Sequence, residues 1–361
     1  MIIQSEKQKD ALIECLNLGE NMKKAVIAMS GGVDSSVAAL LMKNEGYTCV
    51  GATMQLYSEG DCSDAKAVAD KLGMPFYIFP LKEEFKAKVI DKFIEFYEQG
   101  KTPNPCIECN RTLKFGAMID KMHELDADFV VTGHYARIVF ENGEYKLKKA
   151  VDASKDQSYF LYMLTQDQLK HIKFPLGEYT KPQIREIAEE NDLVTARKKD
   201  SQDICFVPDG DYVSFIKNYN NKTYPKGQFM HKDGFSFGEH KGIVNYTIGQ
   251  RKGLGIAYKN PLYVLNIDPE TNNVILGDNE DLFTSEVTAK NVNIISGKTI
   301  TEPIRVLARV RYRHKEQPAT AWQDENGLLH VKFDEPQRAI TKGQSLVIFN
   351  NDEVLGGGEI I

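Results

Sequence analysis

The run Ala25-Val26-Ile27-Ala28-Met29, followed at once by Ser30-Gly31-Gly32-Val33-Asp34-Ser35-Ser36, sets the architecture of the N-terminal half. Five apolar residues in a row predict a buried strand, and the apolar spacing over 36–44 predicts a helix directly after it. Gly31 and Gly32 allow the turn between them backbone conformations closed to residues with a Cβ. The unpaired N–H groups at the helix start then present partial positive charge to an anion, so the unit is built to hold phosphate. No Gly-Lys-Ser/Thr follows, so this is not the P-loop whose lysine steadies the β and γ phosphates. The bland alternative is a tight turn capped by Ser30 or Asp34.

On either side of this unit the chain alternates strand and helix. Strands are predicted at 25–29, 48–54, 76–79 and 129–131, and helices at 36–44, 63–72, 82–99 and 112–125. Repeated βα units imply an α/β fold with a doubly wound parallel sheet, whose ligands sit at the carboxyl ends of the strands. A hairpin is predicted over 138–149, turning at Glu141-Asn142-Gly143-Glu144. Helices follow at 166–172 and 182–191, the second capped by Thr180 with Pro182 in its first turn. After about residue 208 helical periodicity largely disappears. Short segments at 262–268, 273–276, 287–295, 304–313, 328–333 and 345–349, separated by turn signals, predict a small β-rich domain and then a closed β-barrel. The resulting division is an extension at 1–22, an α/β domain at 23–207, a central domain at 208–280 and a barrel at 281–361.

At 361 residues the chain exceeds one ordinary core. It has neither an apolar run of spanning length nor a hydrophobic signal core near Met1, so a cytoplasmic protein without membrane insertion is expected. Six cysteines, Cys15, Cys49, Cys62, Cys106, Cys109 and Cys205, are too few and too scattered for a secreted disulfide framework. A net charge of −6 argues against a surface that coats nucleic acid generally, so any such contact must be local. The alternation of Arg305, Arg309, Arg311 and Arg313 with Val306, Ala308, Val310 and Tyr312 predicts a strand with arginines on one face, either solvated or facing phosphate.

Thr102-Pro103-Asn104-Pro105-Cys106-Ile107-Glu108-Cys109-Asn110 reads as a proline-stiffened loop between helices, with Asn110 or Thr112 capping the next one. Cys109 then lies near a helix N-terminus, where a thiolate is favoured and nucleophilic. Cys205 follows Lys198 and Lys199 in a polar loop and reads as reactive too. Three readings of these thiols stay open: inert side chains, a three-thiolate iron–sulfur site at Cys106, Cys109 and Cys205, or a sulfur relay in which one cysteine carries a persulfide and another resolves it. The second Cys-x-x-Cys that a four-thiolate zinc site needs is missing.

The glycine loop resembles the PP-loop of ATP pyrophosphatases, which cleave ATP between the α and β phosphates. Beyond it, Thr102 to Pro105 ahead of Cys109-Asn110, Thr132-Gly133-His134-Tyr135-Ala136-Arg137, Lys155-Asp156-Gln157-Ser158-Tyr159-Phe160-Leu161, Lys199-Asp200-Ser201 with Ile204-Cys205-Phe206, Thr247-Ile248-Gly249-Gln250-Arg251-Lys252-Gly253-Leu254-Gly255 and Leu355-Gly356-Gly357-Gly358 occur in order. Together they closely resemble the tRNA-specific 2-thiouridylase family (MnmA/TrmU) from about Lys23 to the C-terminus.

The resemblance implies an adenine nucleotide alpha hydrolase-like PP-loop domain, a small central domain and a tRNA-gripping barrel. The implied reaction thiolates carbon 2 of the wobble uridine in glutamate, glutamine and lysine tRNAs, with ATP adenylating the 2-oxygen. Cys205 carries the persulfide and Cys109 is the nucleophile, and a cysteine desulfurase or relay protein supplies the sulfur. Ala28, Met29, Ser30, Gly31, Gly32, Val33, Asp34, Ser35, Met54 and Gly133 are the implied ATP-binding residues, with Mg2+ expected alongside. Asn104, Pro105 and Cys106 face the target base, and His134, Lys155, Asp156, Gln157, Arg311, Tyr312 and Gln344 contact tRNA. One departure stands out: the family pattern has an aspartate, proposed as general acid/base, where this chain has Cys106. A thiol differs from a carboxyl in pKa and hydrogen-bonding strength, and the extra thiolate favours the cluster alternative here. A reading of another class is a non-catalytic redox or iron–sulfur tRNA-binding protein. A third is a PP-loop enzyme that adenylates a small molecule.

Overall fold

A computed structural model describes residues 22–57, 62–198, 204–207 and 210–361. The predicted extension, apart from Met22, and the segment Lys199-Asp200-Ser201 lie outside the described residues.

Three sheets organise the chain. The first is all parallel: β1 (Lys24–Ala28), β2 (Thr48–Gln55), β3 (Phe76–Pro80), β4 (Phe129–Val131) and, beyond the hairpin of β5 (Ala136–Glu141) and β6 (Glu144–Lys149), β7 (Ile172–Lys173), in the order β3-β2-β1-β4-β7. Alternation along β1 sends Ala25 and Ile27 into one core with Val37, Ala38 and Val131, while Val26 joins Val50, Val130 and Phe79 on the opposite face. Both faces are covered, as a parallel sheet requires. The chain passes from β1 to β2 and β3 on one side, then returns to place β4 on the other. The β1–β4 crevice is therefore the switch point where such sheets bind ligands.

The remaining strands divide into two β units. β8 (Gly227–His231), β9 (Ser236–His240), β10 (Tyr263–Asp268) and β11 (Asn273–Gly277) form a four-stranded sheet. β12 (Phe283–Ile294), β13 (Ile304–Arg309), β14 (Gln317–Gln323), β15 (Leu329–Arg338), β16 (Ser345–Asn350) and β17 (Glu353–Ile360) run in the order β12-β15-β14-β13-β16-β17, and pairing of β12 with β17 closes them into a barrel. Full closure removes exposed edges. Its interior is filled by Val287, Val306, Ala308, Ala319, Val331 and Ile348. Val347 and Phe349 point outward from β16 into the core of the first domain, which joins the two units.

Several expectations are corrected. The hairpin, β5 (Ala136–Glu141) and β6 (Glu144–Lys149), turns at Asn142 and Gly143, both at positive φ, but it pairs with β17 and so extends the barrel sheet. The helix predicted over 166–172 stops at Lys170, and Ile172 and Lys173 supply the fifth parallel strand. A helix absent from the sequence reading spans Tyr212–Asn220, its start capped by Asp211 through Ser214 N–H. Helical structure over 82–98 contains a π turn at Lys86–Ile90. The predicted proline loop is also helical at its end: Pro105–Cys109 is α-helical and continues through a π segment, Asn110–Ala117, into Met118–Glu124. No described helix is long and apolar enough to cross a membrane.

Candidate functional site

The glycine turn between strand and helix forms as expected. The helix after β1 starts at Val33 behind Gly32, and no side chain caps it. Neither Ser30 nor Asp34 fills the capping role of the bland reading. The hydroxyls tie the loop to itself: Ser35 Oγ and Ser36 Oγ donate to Gly32 O at 3.1 and 2.9 Å, and Ser30 N–H donates to Ser35 Oγ at 3.2 Å. First-turn N–H groups are left for an anion. Asp34 Oδ1 accepts from Tyr135 Oη at 2.8 Å and from Lys181 Nζ at 2.7 Å.

Two neighbours bring other segments onto this loop. Gly133, just past β4, lies so close that a Cβ there would stand 2.8 Å from Asp34 C and 2.9 Å from Ser35 N. Lys198 Nζ donates to Gly31 O at 3.0 Å and pairs with Asp64 at 2.6 Å. Lys181 and Lys198 were missed from sequence. Lys181 opens an amphipathic helix (Lys181–Glu190) behind the Thr180–Gln183 capping box, where a lysine reads as solvated; in fact it is only 7% exposed. Met54 lies part-buried near the end of β2.

The three thiols form one electrostatic group. Pro105 occupies the first helical position, where its missing N–H costs nothing, so the helix begins behind Asn104 and not at Asn110 or Thr112. Cys106 is exposed, Cys109 is buried and Cys205 is exposed. Burial pushes Cys109 up to about 11; Lys114 opposes this, whereas charge on Cys205 or Cys106 adds to it. Cys106 and Cys205 are also raised, chiefly by desolvation and again opposed by Lys114. Proximity to Cys106 is the next cause at Cys205. The expectation of a pre-formed thiolate is therefore corrected: the helix begins at Pro105, so Cys109 lies a turn inside it, desolvation raises it, and the resting side chains are thiols. Cys205 gains nothing from Lys198, which is engaged at Gly31 and Asp64.

The cluster alternative does not fit these residues. Among the described residues no three His, Cys, Asp or Glu side chains gather as a metal-holding group.

His134 follows Gly133, which packs on the loop, and like the three thiols it feels the charge of Lys114. It is buried, its Nδ1 is 2.7 Å from Thr132 Oγ1, and burial assisted by Lys114 drives its pKa well below the ordinary value, leaving a neutral imidazole. Asp156 is buried and accepts from Ala150 N–H, Ser158 N–H and Ser158 Oγ, while Gln157 Oε1 accepts from Tyr135 N–H. Lys155 is part-buried beside them. Gln344 Nε2 donates to Thr102 O at 2.8 Å and Pro103 O at 3.3 Å, tethering the barrel to the approach to Cys106. Tyr312 Oη donates to Asp156 O, and its ring lies 4.3 Å from that of Phe160.

The arginine face is corrected. β13 ends at Arg309, so Arg311 and Arg313 lie in the bend and turn that follow the strand. Arg305 pairs with Asp334 and Arg309 with Glu316, while Arg311 donates to Ile248 O, Ala339 O and Thr341 Oγ1. Arg313 and Lys315 remain exposed in this turn.

Comparison with known proteins accords with this geometry. A family described as tRNA methyl transferase HUP domain matches residues 23–209, its PRC-barrel domain matches 213–278, and an aminomethyltransferase beta-barrel domain matches 284–360. A tRNA-specific 2-thiouridylase MnmA from Clostridioides difficile is 50% identical over 353 residues, covering 94% of this chain and 98% of that protein. This chain belongs to the tRNA-specific 2-thiouridylase family. Members bearing the same name from Clostridium acetobutylicum (49% identical, 94% of this chain, 99% of that one) and Lachnoclostridium phytofermentans (45%, 94% and 100%) match along the same length. The family is one of PP-loop enzymes that use ATP, in keeping with the uncapped helix behind Gly32.

Proposed function

We propose that this chain thiolates carbon 2 of the wobble uridine in lysine, glutamate and glutamine tRNAs. The supporting observation is the link between loop and thiols. Gly133 touches the PP-loop while its neighbour His134 shares the field of Lys114 with Cys106, Cys109 and Cys205. Lys198 holds Gly31 only a few residues before Cys205.

ATP phosphates rest on the N–H groups behind Gly32, with Lys181 and Lys198 as the nearby cations and Met54 and Gly133 beside the nucleotide. Asp34 is the carboxylate that would hold Mg2+, which screens the phosphate charge when bound. Asn104, Pro105 and Cys106 face the flipped uridine; base extraction is how enzymes reach an atom within a folded nucleic acid. The 2-oxygen attacks the α phosphorus and pyrophosphate leaves, converting a poor leaving group into AMP. The terminal sulfur of a Cys205 persulfide adds at carbon 2 and AMP departs; Cys109 then attacks the Cys205 sulfur, a Cys109–Cys205 bond forms as the bond to the transferred sulfur breaks, and thiouridine is released. His134, Lys155, Asp156, Gln157, Arg311, Tyr312 and Gln344 shape the tRNA-facing surface, and a cysteine desulfurase or relay protein reloads Cys205. Thiouridine analysis of tRNA from cells carrying Cys109→Ser or Cys205→Ser tests the reading: both are expected to lose the modification, and unchanged thiolation refutes it.

A further inference from the structure

Cys106 brings to this site a thiol that the reaction above does not consume. It shares the first turns of one helix with Cys109, within Pro105–Cys109. Residues three apart on a helix carry Cβ atoms roughly 5–6 Å apart. A disulfide needs Cβ atoms about 3.5–4.5 Å apart with Cα atoms about 4.4–6.8 Å apart, so a small adjustment of the turn closes the pair. Exposure divides the two sulfurs: Cys106 is open to solvent and Cys109 is buried, while Cys205 is close enough to Cys106 for their charges to interact.

Resting on the relay reading, we propose that Cys106 is a resolving thiol, which takes Cys109 out of the Cys109–Cys205 disulfide left by sulfur delivery and so frees Cys205 to be loaded again. The Cys106 sulfur attacks the Cys109 sulfur. A Cys106–Cys109 bond forms as the Cys109–Cys205 bond breaks, and the proton lost by Cys106 is taken up at Cys205. One disulfide replaces another with no net electron transfer. The two electrons required per cycle then come from a soluble thiol or dithiol, which reduces the new disulfide from its exposed Cys106 side. An intramolecular thiol acts at high effective concentration and is already positioned for exchange. It also moves the oxidised pair away from the cysteine that must meet the sulfur donor.

The test is one turnover of full-length enzyme, carrying a persulfide on Cys205, with tRNA and ATP and without added thiol. An acid quench, alkylation and mass-spectrometric mapping of the disulfides follow. Wild type is expected to give thiouridine, a Cys106–Cys109 disulfide and alkylated Cys205. Cys106→Ser and Cys106→Asp are each expected to trap Cys109–Cys205 in whatever fraction has turned over. A Cys109–Cys205 disulfide persisting in wild type, with Cys106 alkylated, overturns the proposal while leaving the relay intact. Thiouridine formed with no protein disulfide in any variant overturns the relay and, with it, the resolving role.

Discussion

Gly133→Ala isolates the contact between the end of β4 and the glycine loop proposed to hold ATP. Its φ lies outside the left-handed region, so alanine suits the backbone, and the added methyl acts through space alone. That Cβ would stand 2.8 Å from Asp34 C and 2.9 Å from Ser35 N, with Asp34 Cβ at 3.1 Å. The two nearest atoms are backbone in the first turn of the helix, so no rotamer change relieves the clash. Either the PP-loop or the end of β4 must move. Overpacking of this kind costs about 1–3 kcal/mol. If the loop yields, the N–H groups turn away from the phosphates, and at about 1.4 kcal/mol per tenfold the ATP affinity falls roughly 5- to 150-fold. Gly46→Ala is the control. Gly46 has φ +85° and nothing within 4 Å of its added Cβ, so that change strains the backbone without reaching the loop. Titration calorimetry with ATP, alongside urea unfolding, separates the two. Stability loss in both variants, with ATP affinity reduced in Gly133→Ala alone, is expected; wild-type ATP affinity in Gly133→Ala refutes the assignment.

Lys181→Met leaves Asp34 Oδ1 with the Tyr135 hydroxyl but without its cation. Because the Asp34 side chain is 33% exposed, the stability loss falls below that of a fully buried pair, at about 1–2 kcal/mol, read by chemical unfolding alongside loss of tRNA-dependent AMP formation. Iodoacetamide labelling of Cys109, whose pKa is pushed up to about 11, should rise about tenfold per pH unit between roughly pH 7 and 10; a plateau below pH 9 contradicts the raised value. Lys114→Met should slow that labelling further, since it removes the cation that favours the thiolate. Glu316→Gln strips the carboxylate shared by Lys149 and Arg309 and is expected to cost about 2–4 kcal/mol in urea unfolding. Cys49 is raised to about 12 and Cys109 to about 11 from an ordinary 9.0, so the unfolded chain releases these protons first. Under reducing conditions stability should therefore hold up to about pH 9 and fall above it, as a shift in the denaturant midpoint between pH 8 and pH 10.5 will show.

The nucleotide half of the site is legible because its signals are local. An apolar run, two glycines and an apolar helical face lie within twenty residues, and β1 and its helix form where that pattern places them. The cysteine helix escapes the sequence reading because two prolines suggest a loop throughout, although Asn104-Pro105 is an acceptable way to start a helix. Period two along the arginines suggests a longer strand than forms. The carboxylates that engage Arg305 and Arg309 come from Asp334 and Glu316, and strand pairing is needed to bring Asp334 near. Helix Tyr212–Asn220 does carry a signal, Asp211 as cap with Tyr212, Phe215, Ile216 and Tyr219 on one face, but its aromatic texture resembles the β segments after it. Lys181 and Lys198 act across 147 and 167 positions of chain, where no local pattern points to the loop.

The raised thiols, which overturn the expectation of a ready nucleophile, fit a sulfur relay better than pre-formed thiolates would. A standing thiolate at Cys109 would attack an adenylated uridine directly, displace AMP and tether the tRNA to the protein before any sulfur arrived. It would also oxidise easily against Cys205 in the resting state. Burial keeps Cys109 protonated, and the first sulfur in the site able to ionise readily near neutral pH is the terminal one of a persulfide, which is more acidic than a thiol. Lys114, which lowers all three thiols, is the group placed to favour the anion at whichever sulfur carries it. On the proposed relay, order would follow from acidity: persulfide loading creates the competent anion, and Cys109 becomes reactive only as its neighbour's sulfur is drawn away.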